Sequence, residues 1–229
     1  MIKLNLYDGT ERNLRGKSLI LYKLTLTLTL IQRDIIIGTL LGAATIPKQK
    51  DNSDYNLKFE QTIRQKDYVW HLYQIFRPFV GTPPKVRQIR GGNAKDRESI
   101  WFRTYRHSAF HFYYNFFYPV DPENLSERKK RVSASIHEVL TPRAVAYWYM
   151  DDGNWDQRCN RYRFNTQSFV YADISILKAA LKRNFNLDTS FEKDRTFYLL
   201  RIQPHCNLAF CELIKPYILA SFEYKLARL

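Results

Sequence analysis

The stretch that decides the fold is Ala146-Tyr147-Trp148-Tyr149-Met150-Asp151-Asp152-Gly153-Asn154-Trp155, an apolar run that ends in two carboxylates and a glycine. We interpret the run as a helix, and the C-terminal end of a helix already carries negative partial charge. Two aspartates at that end cost stability unless a cation offsets their charge, so the pair indicates a metal site. Asp-Gly is also a common turn pair. Taken alone, the stretch therefore leaves a polar helix cap as an equal alternative.

The chain is strongly basic, with a formal net charge of +14 over 229 residues. Such a balance predicts a polyanionic partner, most simply nucleic acid. With 45% hydrophobic residues, the chain can bury a core as one domain or as two small ones. No run of about 18 apolar residues is present, so we expect no membrane span, and the N-terminus shows no signal peptide or clear import peptide. Cys159, Cys206 and Cys211 lack zinc-ligand spacing and are interpreted as thiols in a reducing compartment.

The predicted elements follow the same order twice. The first half is predicted to contain a helix, a hairpin, a helix, a hairpin and a helix at residues 31–42, 45–62, 66–76, 85–105 and 108–117. The second half repeats the plan at residues 141–151, 155–168, 173–184, 189–202 and 207–219. Matching order with little identity predicts an old internal duplication. Residues 121–131 are polar and form the best candidate for a linker, while the Leu-Thr alternation of residues 24–30 could pass for a strand.

The first predicted helix carries small residues on one face. Gly38 and Gly42 are four positions apart, so they lie on the same side of the helix. A face without side chains lets another backbone approach closely. The alternative interpretation is a weak buried helix with no close partner.

Basic side chains concentrate on the predicted strands. In Arg161-Tyr162-Arg163-Phe164 the strand period places both arginines on one face and both aromatic rings on the other. Arg, Lys, Gln and Asn are the side chains that contact phosphates and base edges, and a two-stranded ribbon fits the major groove. This pattern favours a nucleic-acid interface over a merely solvated sheet face. The residues predicted to contact DNA are Lys48, Lys50, Lys58, Lys85, Arg87, Arg90, Arg103, Arg158, Arg161, Arg163, Lys193, Arg195 and Arg201.

Together these motifs resemble the single-chain LAGLIDADG homing endonucleases, in particular those encoded in yeast mitochondrial introns. The resemblance rests on Val145-Ala146-Tyr147-Trp148-Tyr149-Met150-Asp151-Asp152-Gly153, with Leu140-Thr141-Pro142 before it and Asn165-Thr166-Gln167-Ser168-Phe169 after it. It covers roughly residues 30–229 and implies an α+β fold of two pseudo-symmetric αββαββα repeats. The motif helices would pack at the centre, and two four-stranded antiparallel sheets would form a DNA-binding saddle. The implied organisation is an N-terminal repeat at 1–120 with an extension at 1–30, a basic linker at 121–140 and a C-terminal repeat at 141–229.

The same resemblance implies the catalytic residues. The acid before the final glycine of each motif is expected to act over a scissile phosphate, with Mg²⁺ as cofactor and Ca²⁺ or Mn²⁺ as substitutes in binding. In the second motif this acid is Asp152. In the first motif, Ile36-Ile37-Gly38-Thr39-Leu40-Leu41-Gly42-Ala43-Ala44, an alanine stands at the acid's position and cannot bind a metal. The residues assigned to the metal are Asp152, Asp151 and Gly42, and those assigned to catalysis are Asp152, Gln61, Gln167, Lys225, Lys130 (or its neighbour Lys129) and the deficient position Ala43.

We therefore expect a monomeric, mitochondrial, site-specific double-strand DNA endonuclease with a long asymmetric target. Cleavage is expected to be impaired because of Ala43. The alanine fits either an engineered knock-out or a natural loss of cleavage, and the otherwise intact motif favours the first. The alternatives are an intron maturase that binds RNA and a non-cleaving DNA-binding protein on the same fold.

Overall fold

The computed structural model describes residues 14–49, 54–89, 97–120 and 128–227. Its helices in chain order are α1 (Gly16–Leu24), α2 (Leu30–Leu41), α3 (Lys66–Phe76), α4 (His111–Phe117), α5 (Ile136–Val139), α6 (Pro142–Asp152), α7 (Tyr171–Phe185) and α8 (Asn207–Ile214). Its strands are β1 (Lys58–Thr62), β2 (Lys85–Ile89), β3 (Arg97–Arg103), β4 (Gly153–Asp156), β5 (Arg161–Phe164), β6 (Thr189–Asp194) and β7 (Phe197–Ile202). The α+β class and the two antiparallel sheets predicted from the sequence are confirmed.

The chain divides into two compact units, one of residues 1–29 and 45–110 and the other of residues 30–44 and 111–229. This division differs from the predicted repeat boundaries because α2, which begins the first repeat, packs against α6 of the second. A repeat is a unit of sequence, whereas a compact unit follows side-chain packing. The assignment of residues 1–120, 121–140 and 141–229 stays a prediction.

The first unit contains an antiparallel sheet of strand order β1-β3-β2. Helix α3 covers one face, because its apolar residues recur at the helical period and Tyr68, Leu72 and Phe76 are buried there. Phe59 of β1 connects the layers, with its ring centroid 4.9 Å from that of Phe102 on β3 and 5.1 Å from that of Phe76.

Two features of this unit differ from the sequence predictions. The expected first hairpin arm is reduced to an isolated bridge between Thr45 and Lys58, so the sheet has three strands among the described residues. Pro47 follows two residues later and has no N–H to continue the ladder. The prediction of a strand at residues 24–30 is wrong, because α1 ends at Leu24 and α2 begins at Leu30.

The second unit contains a four-stranded antiparallel sheet of order β4-β5-β7-β6. Helix α6 starts where predicted, because the Thr141 hydroxyl accepts a hydrogen bond from the Ala144 N–H at 3.1 Å and Pro142 occupies the first turn. Trp148 of α6 stacks on Phe164 of β5 with centroids 3.9 Å apart. The motif helix is therefore fixed directly to the sheet.

Residues 128–140, the described part of the predicted linker at 121–140, pack into the second unit. Val132, Ile136 and Leu140 are buried. Arg131 donates from Nε to both carboxylate oxygens of Asp173, at 3.2 and 2.9 Å, and Asp173 is 1% exposed. This ion pair between a buried carboxylate and an exposed guanidinium attaches the segment to α7.

We expect Asp173→Ala to lower the free energy of unfolding by about 2 kcal/mol, since it removes a buried carboxylate that accepts two hydrogen bonds from Arg131 and lies in the first turn of α7. Urea denaturation followed by circular dichroism measures the change. Glu212→Ala, on the exposed side of α8, is the matched control and should alter stability by less than about 0.5 kcal/mol. Equal effects of the two substitutions would show that the pair of Arg131 with Asp173 contributes nothing to stability.

No helix within the described ranges combines the length and the hydropathy that crossing a bilayer requires.

Candidate active site

The two motif helices, α2 and α6, run side by side in the same direction. Near their N-terminal ends, the Arg143 guanidinium of α6 lies 2.9 Å from the Asp34 carboxylate of α2. One turn further, Gly38 lies against the Ala144 carbonyl, and a Cβ added to Gly38 would stand 2.9 Å from Tyr147 Cβ. The close approach predicted for the small face of α2 is present, and its partner is α6.

The C-terminal ends of the two helices also meet. A Cβ added to Gly42 would stand 2.5 Å from both Cβ and Oδ2 of Asp151. The backbone N–H of Ala43 donates a hydrogen bond to Asp151 Oδ2 at 3.2 Å. Asp151, assigned to the metal from the sequence, thus holds the chain at the deficient position of the first motif.

Two lysines terminate the motif helices, Lys225 buried and Lys130 partly buried. Lys130 Nζ donates to the carbonyls of Gly42 and Ala44 at 3.2 and 2.8 Å, and Lys225 Nζ donates to the Met150 carbonyl at 2.6 Å. Their ammonium groups lie where the helix dipoles concentrate negative charge. The protein itself therefore supplies part of the positive charge that the acids at this end require. Lys129, the alternative considered for the first repeat, is exposed.

The electrostatics of the centre follow from burial. Burial raises the pKa of Asp152 to about 6, although the ammonium groups of Lys130 and Lys225 oppose part of that rise. Burial also lowers the pKa of both lysines to about 8, against the opposing effect of Asp151 and Asp152. Groups shifted in this way by burial and specific charged neighbours are typical of functional sites.

The donors present fit a hard divalent cation on one side only. Asp152 offers carboxylate oxygens at the end of α6, and its carboxylate accepts no hydrogen bond among the described residues. Oxygen ligands of this kind suit Mg²⁺. On the side of α2, position 43 presents an exposed methyl group, and the carbonyl of Gly42 already accepts from Lys130. We call the two helix ends the half-site of Asp152 and the half-site of Ala43; the first has a carboxylate at this position and the second has a methyl group.

The two predicted glutamines belong to the sheets rather than to the motif helices. Gln61 is on β1, in the other compact unit. Gln167 follows β5, and its Nε2 lies 3.5 Å from Oδ2 of Asp194 on β6. Their assignment to solvent ordering stays a prediction.

In the first unit, the sheet face opposite α3 is polar. Lys58 Nζ lies 2.5 Å from the Glu60 carboxylate, and Arg87 lies 2.6 Å from it. The Ser99 hydroxyl donates to the same carboxylate at 2.6 Å. Burial raises the pKa of Glu60, but these three partners outweigh burial and hold it below its usual range. The predicted DNA contacts Lys58 and Arg87 are thus fixed in orientation by an acid between them.

The second unit has a comparable polar face. Arg163 Nε donates to Asn154 Oδ1 at 2.7 Å, and Arg163 pairs in register with Arg201. Arg201 forms an ion pair with Glu192. By the strand period Arg161 shares this face, whereas Lys193 points to the opposite one, which also carries Phe191.

The remaining predicted contacts are distributed over the strands and turns. Arg103 lies over the Trp101 ring at 6.0 Å, and Arg195 is in a turn with a positive φ of 56°. Lys85, Lys48 and Arg158 are exposed. Lys50 and Arg90 lie outside the described residues.

Sequence reasoning missed the acids among these basic residues. Glu60 stands two positions from Lys58, so the strand period alone places the two on one face. The pairing of Arg201 with Glu192 depends on the register of β6 with β7 and has no such local signal. The salt bridge between Asp34 and Arg143 was likewise missed, since its residues are 109 positions apart.

Two parallel motif helices in one chain, an acid at their joined ends and two antiparallel sheets define a two-repeat nuclease scaffold. The chain belongs to the LAGLIDADG DNA endonuclease family, whose model matches residues 33–206.

Individual relatives agree with this assignment. A probable intron-encoded endonuclease of Wickerhamomyces canadensis is 30% identical, over 87% of this chain and 85% of its own. The structure of the homing endonuclease I-WcaI bound to its DNA recognition sequence is similar with a TM-score of 0.82 and 28% identity, covering 98% of this chain and 96% of that one. The cytochrome b mRNA maturase bI2 of Saccharomyces cerevisiae is 26% identical over 84% of this chain and 46% of its own.

Proposed function

We propose that this chain binds a long asymmetric DNA duplex as a monomer and that its double-strand cleavage is limited by Ala43. The observation that carries the proposal is the junction of α2 and α6, where one half-site has an acid, Asp152, and the other has a methyl group. The family assignment and the similarity to a DNA-bound homing endonuclease support DNA as the partner.

The residues at the junction have separable roles in this proposal. Asp152 would hold a divalent cation, Mg²⁺ with Ca²⁺ or Mn²⁺ as substitutes. Such a cation neutralises phosphate charge, orients the leaving group and lowers the pKa of water. Lys225 and Lys130 place positive charge beside the acid, where negative charge develops during phosphodiester hydrolysis. Asp151 positions the backbone of residue 43.

The polar sheet faces would supply the DNA contacts. Arg163 and Arg201 on one sheet, and Lys58 and Arg87 on the other, each have an acid or amide partner that fixes the side chain before DNA arrives. Fixing a side chain in advance reduces the entropy lost on binding. Ion pairing also lowers the net charge of each face, which favours selective over indiscriminate binding to polyanions.

Selection from a random duplex library tests the proposal and identifies the target sequence in the same experiment. The full chain, in Ca²⁺, is expected to enrich one long sequence lacking twofold symmetry. With Mg²⁺ the same duplex should be retained while plasmids that carry it are linearised very slowly. Absence of enrichment, or efficient linearisation by the unaltered chain, would contradict the proposal.

Lys225→Met should reduce cleavage about a hundredfold in a variant that carries a carboxylate at position 43, since it removes a positive charge beside Asp152. DNA affinity should change by less than about threefold. Stability should change little, because removing a buried ammonium with a lowered pKa offsets the loss of its hydrogen bond to the Met150 carbonyl. Single-turnover cleavage on the selected duplex gives the rate.

Lys215→Met, an exposed substitution of the same chemistry, is the control and should leave the rate unchanged. If Lys225→Met cleaves at the unaltered rate, the ammonium serves only to terminate α6.

A maturase function is the second candidate, favoured by the similarity to the cytochrome b mRNA maturase bI2 and by the absence of an acid at position 43. Binding of structured intron RNA in preference to the selected duplex would support it. We further propose a mitochondrial location, based on this relative and on the intron-encoded one. A gene inside a mitochondrial intron is the expected finding.

A further inference from the structure

We propose that Asp188, His205 and Cys206 form a second metal site, suited to Zn²⁺ or a similar borderline-soft divalent cation. One ligand atom from each residue lies within 4.8 Å of the other two. The three residues lie at the base of the β6–β7 hairpin, whereas the acid half-site lies at the end of α6.

Backbone hydrogen bonds hold the three ligands in place. Asp188 immediately precedes β6, and its carbonyl accepts from the Gln203 N–H at 2.8 Å. The chain then turns, with the Cys206 N–H donating to the Gln203 carbonyl at 2.8 Å. The pairing of Thr189 with Ile202 fixes the hairpin just beside this turn. The site is therefore formed by the register of two strands rather than by a loop.

The ligand chemistry selects the cation. Zinc accepts carboxylate oxygen, imidazole nitrogen and thiolate sulfur together, in a tetrahedral arrangement. Mg²⁺ prefers oxygen alone, so the same ion is not expected at both sites. The His205 side chain is 67% exposed, which leaves a solvent path to a fourth position. Three protein ligands with one accessible position form an open site.

The contacts already present arrange the ligands toward one another. His205 Nε2 lies 3.0 Å from Asp188 Oδ2, and the backbone N–H of Asp188 donates to Cys206 Sγ at 3.3 Å. That N–H, and the N-terminal end of α8 that starts at the next residue, complement the negative charge of a metal-bound thiolate. The Asp188 carboxylate is thus held between the His205 ring and the Lys182 ammonium, one on each oxygen.

Lys182 is the competing cation. Its Nζ lies 3.0 Å from Asp188 Oδ1, on the oxygen that His205 does not contact. A bound divalent cation would be repelled by this ammonium. Lys182→Met is therefore expected to tighten metal binding by about two- to fivefold, as suits an exposed charge pair.

Sequence reasoning set zinc aside because the three cysteines lack a Cys/His ligand pattern. Only Cys206 has a histidine beside it, and the third ligand is an aspartate 17 residues before that histidine. A carboxylate 17 residues from a histidine matches no common metal-binding motif, so the sequence does not identify Asp188 as a ligand. The hairpin register brings it to the other two.

Titration of the full chain with Co²⁺, in excess Mg²⁺ that occupies the acid half-site, tests the proposal. We expect one equivalent to bind with the near-ultraviolet thiolate-to-cobalt charge-transfer band, which oxygen ligands do not produce. Zn²⁺ should abolish the band by displacement and, at about a hundredfold excess over its Kd, raise Tm by about 5 °C.

The variants assign the ligands. Cys206→Ala should remove the band and His205→Ala should weaken binding at least tenfold, whereas Cys159→Ala and Cys211→Ala should leave both unchanged. His205 is exposed, so its removal tests the site even if the buried Cys206 substitution impairs folding. Absence of the band in the unaltered chain, its persistence in Cys206→Ala, or undiminished affinity in His205→Ala would each overturn the proposal.

Discussion

Ala43→Asp should increase double-strand cleavage about a hundredfold or more. The substitution supplies a carboxylate to the half-site of α2, opposite Asp152, and one oriented catalytic group is worth at least that factor. Residue 43 is exposed, so the new side chain has room. The variant and the unaltered chain are compared on supercoiled plasmid bearing the selected target, with Mg²⁺, by the rate at which linear product forms.

Ala43→Asn is the matched control, since it has nearly the same shape without the charge. It should cleave no better than the unaltered chain. A rate for Ala43→Asp equal to that of Ala43→Asn would show that a missing carboxylate is not what limits cleavage.

The added acid should also make stability depend on metal, because it brings a third carboxylate to the junction that already holds Asp151 and Asp152. Mg²⁺ should therefore raise the Tm of Ala43→Asp more than that of the unaltered chain.

Gly38→Ala should destabilise the protein by about 3 kcal/mol, although alanine is the better helix former. A Cβ at this position would overlap the Ala144 carbonyl and stand 2.9 Å from Tyr147 Cβ. Both partners belong to α6, whose backbone must move if the methyl group is to fit, and overpacking of this kind costs about 1–3 kcal/mol or more. Equilibrium urea unfolding measures the difference.

The sign of this change separates two interpretations of α2. A weak buried helix without a close partner would gain about 0.5–1 kcal/mol from Gly38→Ala. Ala179→Gly, on the exposed side of α7, calibrates the helix penalty of glycine in the same chain and should cost about 1 kcal/mol. Stabilisation by Gly38→Ala would remove the argument that the motif helices require a residue without a side chain at their contact.

The junction of α2 and α6 illustrates how much can be inferred from residue types alone. The sequence alone places Asp151 and Asp152 at the C-terminal end of a helix, where negative charge is unfavourable. The sequence does not show that Lys130 contacts the end of α2 or that Lys225 contacts the end of α6, because each lysine comes from a distant segment. Lys225 lies 75 residues after the Met150 carbonyl that it contacts. Only the packed chain reveals that the acids are already partly neutralised.

The sequence by itself determined the order of the elements, because periodicity, capping residues and small side chains are local properties. The class of fold and the motif helices were implied by the resemblance of the stretch ending in Asp151-Asp152-Gly153 to a known family. The bounds of α3 agree with the prediction because its apolar residues recur at the helical period and Pro78 follows closely. The alternation of residues 24–30 misled because leucine and threonine can alternate without a neighbouring strand to pair with.

Tertiary structure alone decided which charges meet. The ion pairs of Arg131 with Asp173 and of Arg201 with Glu192 depend on packing and strand register, as does the cluster of Asp188 with His205 and Cys206. Side chains of a given type occur many times in the chain, and only a three-dimensional arrangement selects the partner of each. The opening Asp151-Asp152 pair shows the division well. The sequence marks both as unusual, whereas in the structure Asp151 accepts a hydrogen bond from the backbone N–H of residue 43, and Asp152 stays the acid that we propose for metal binding.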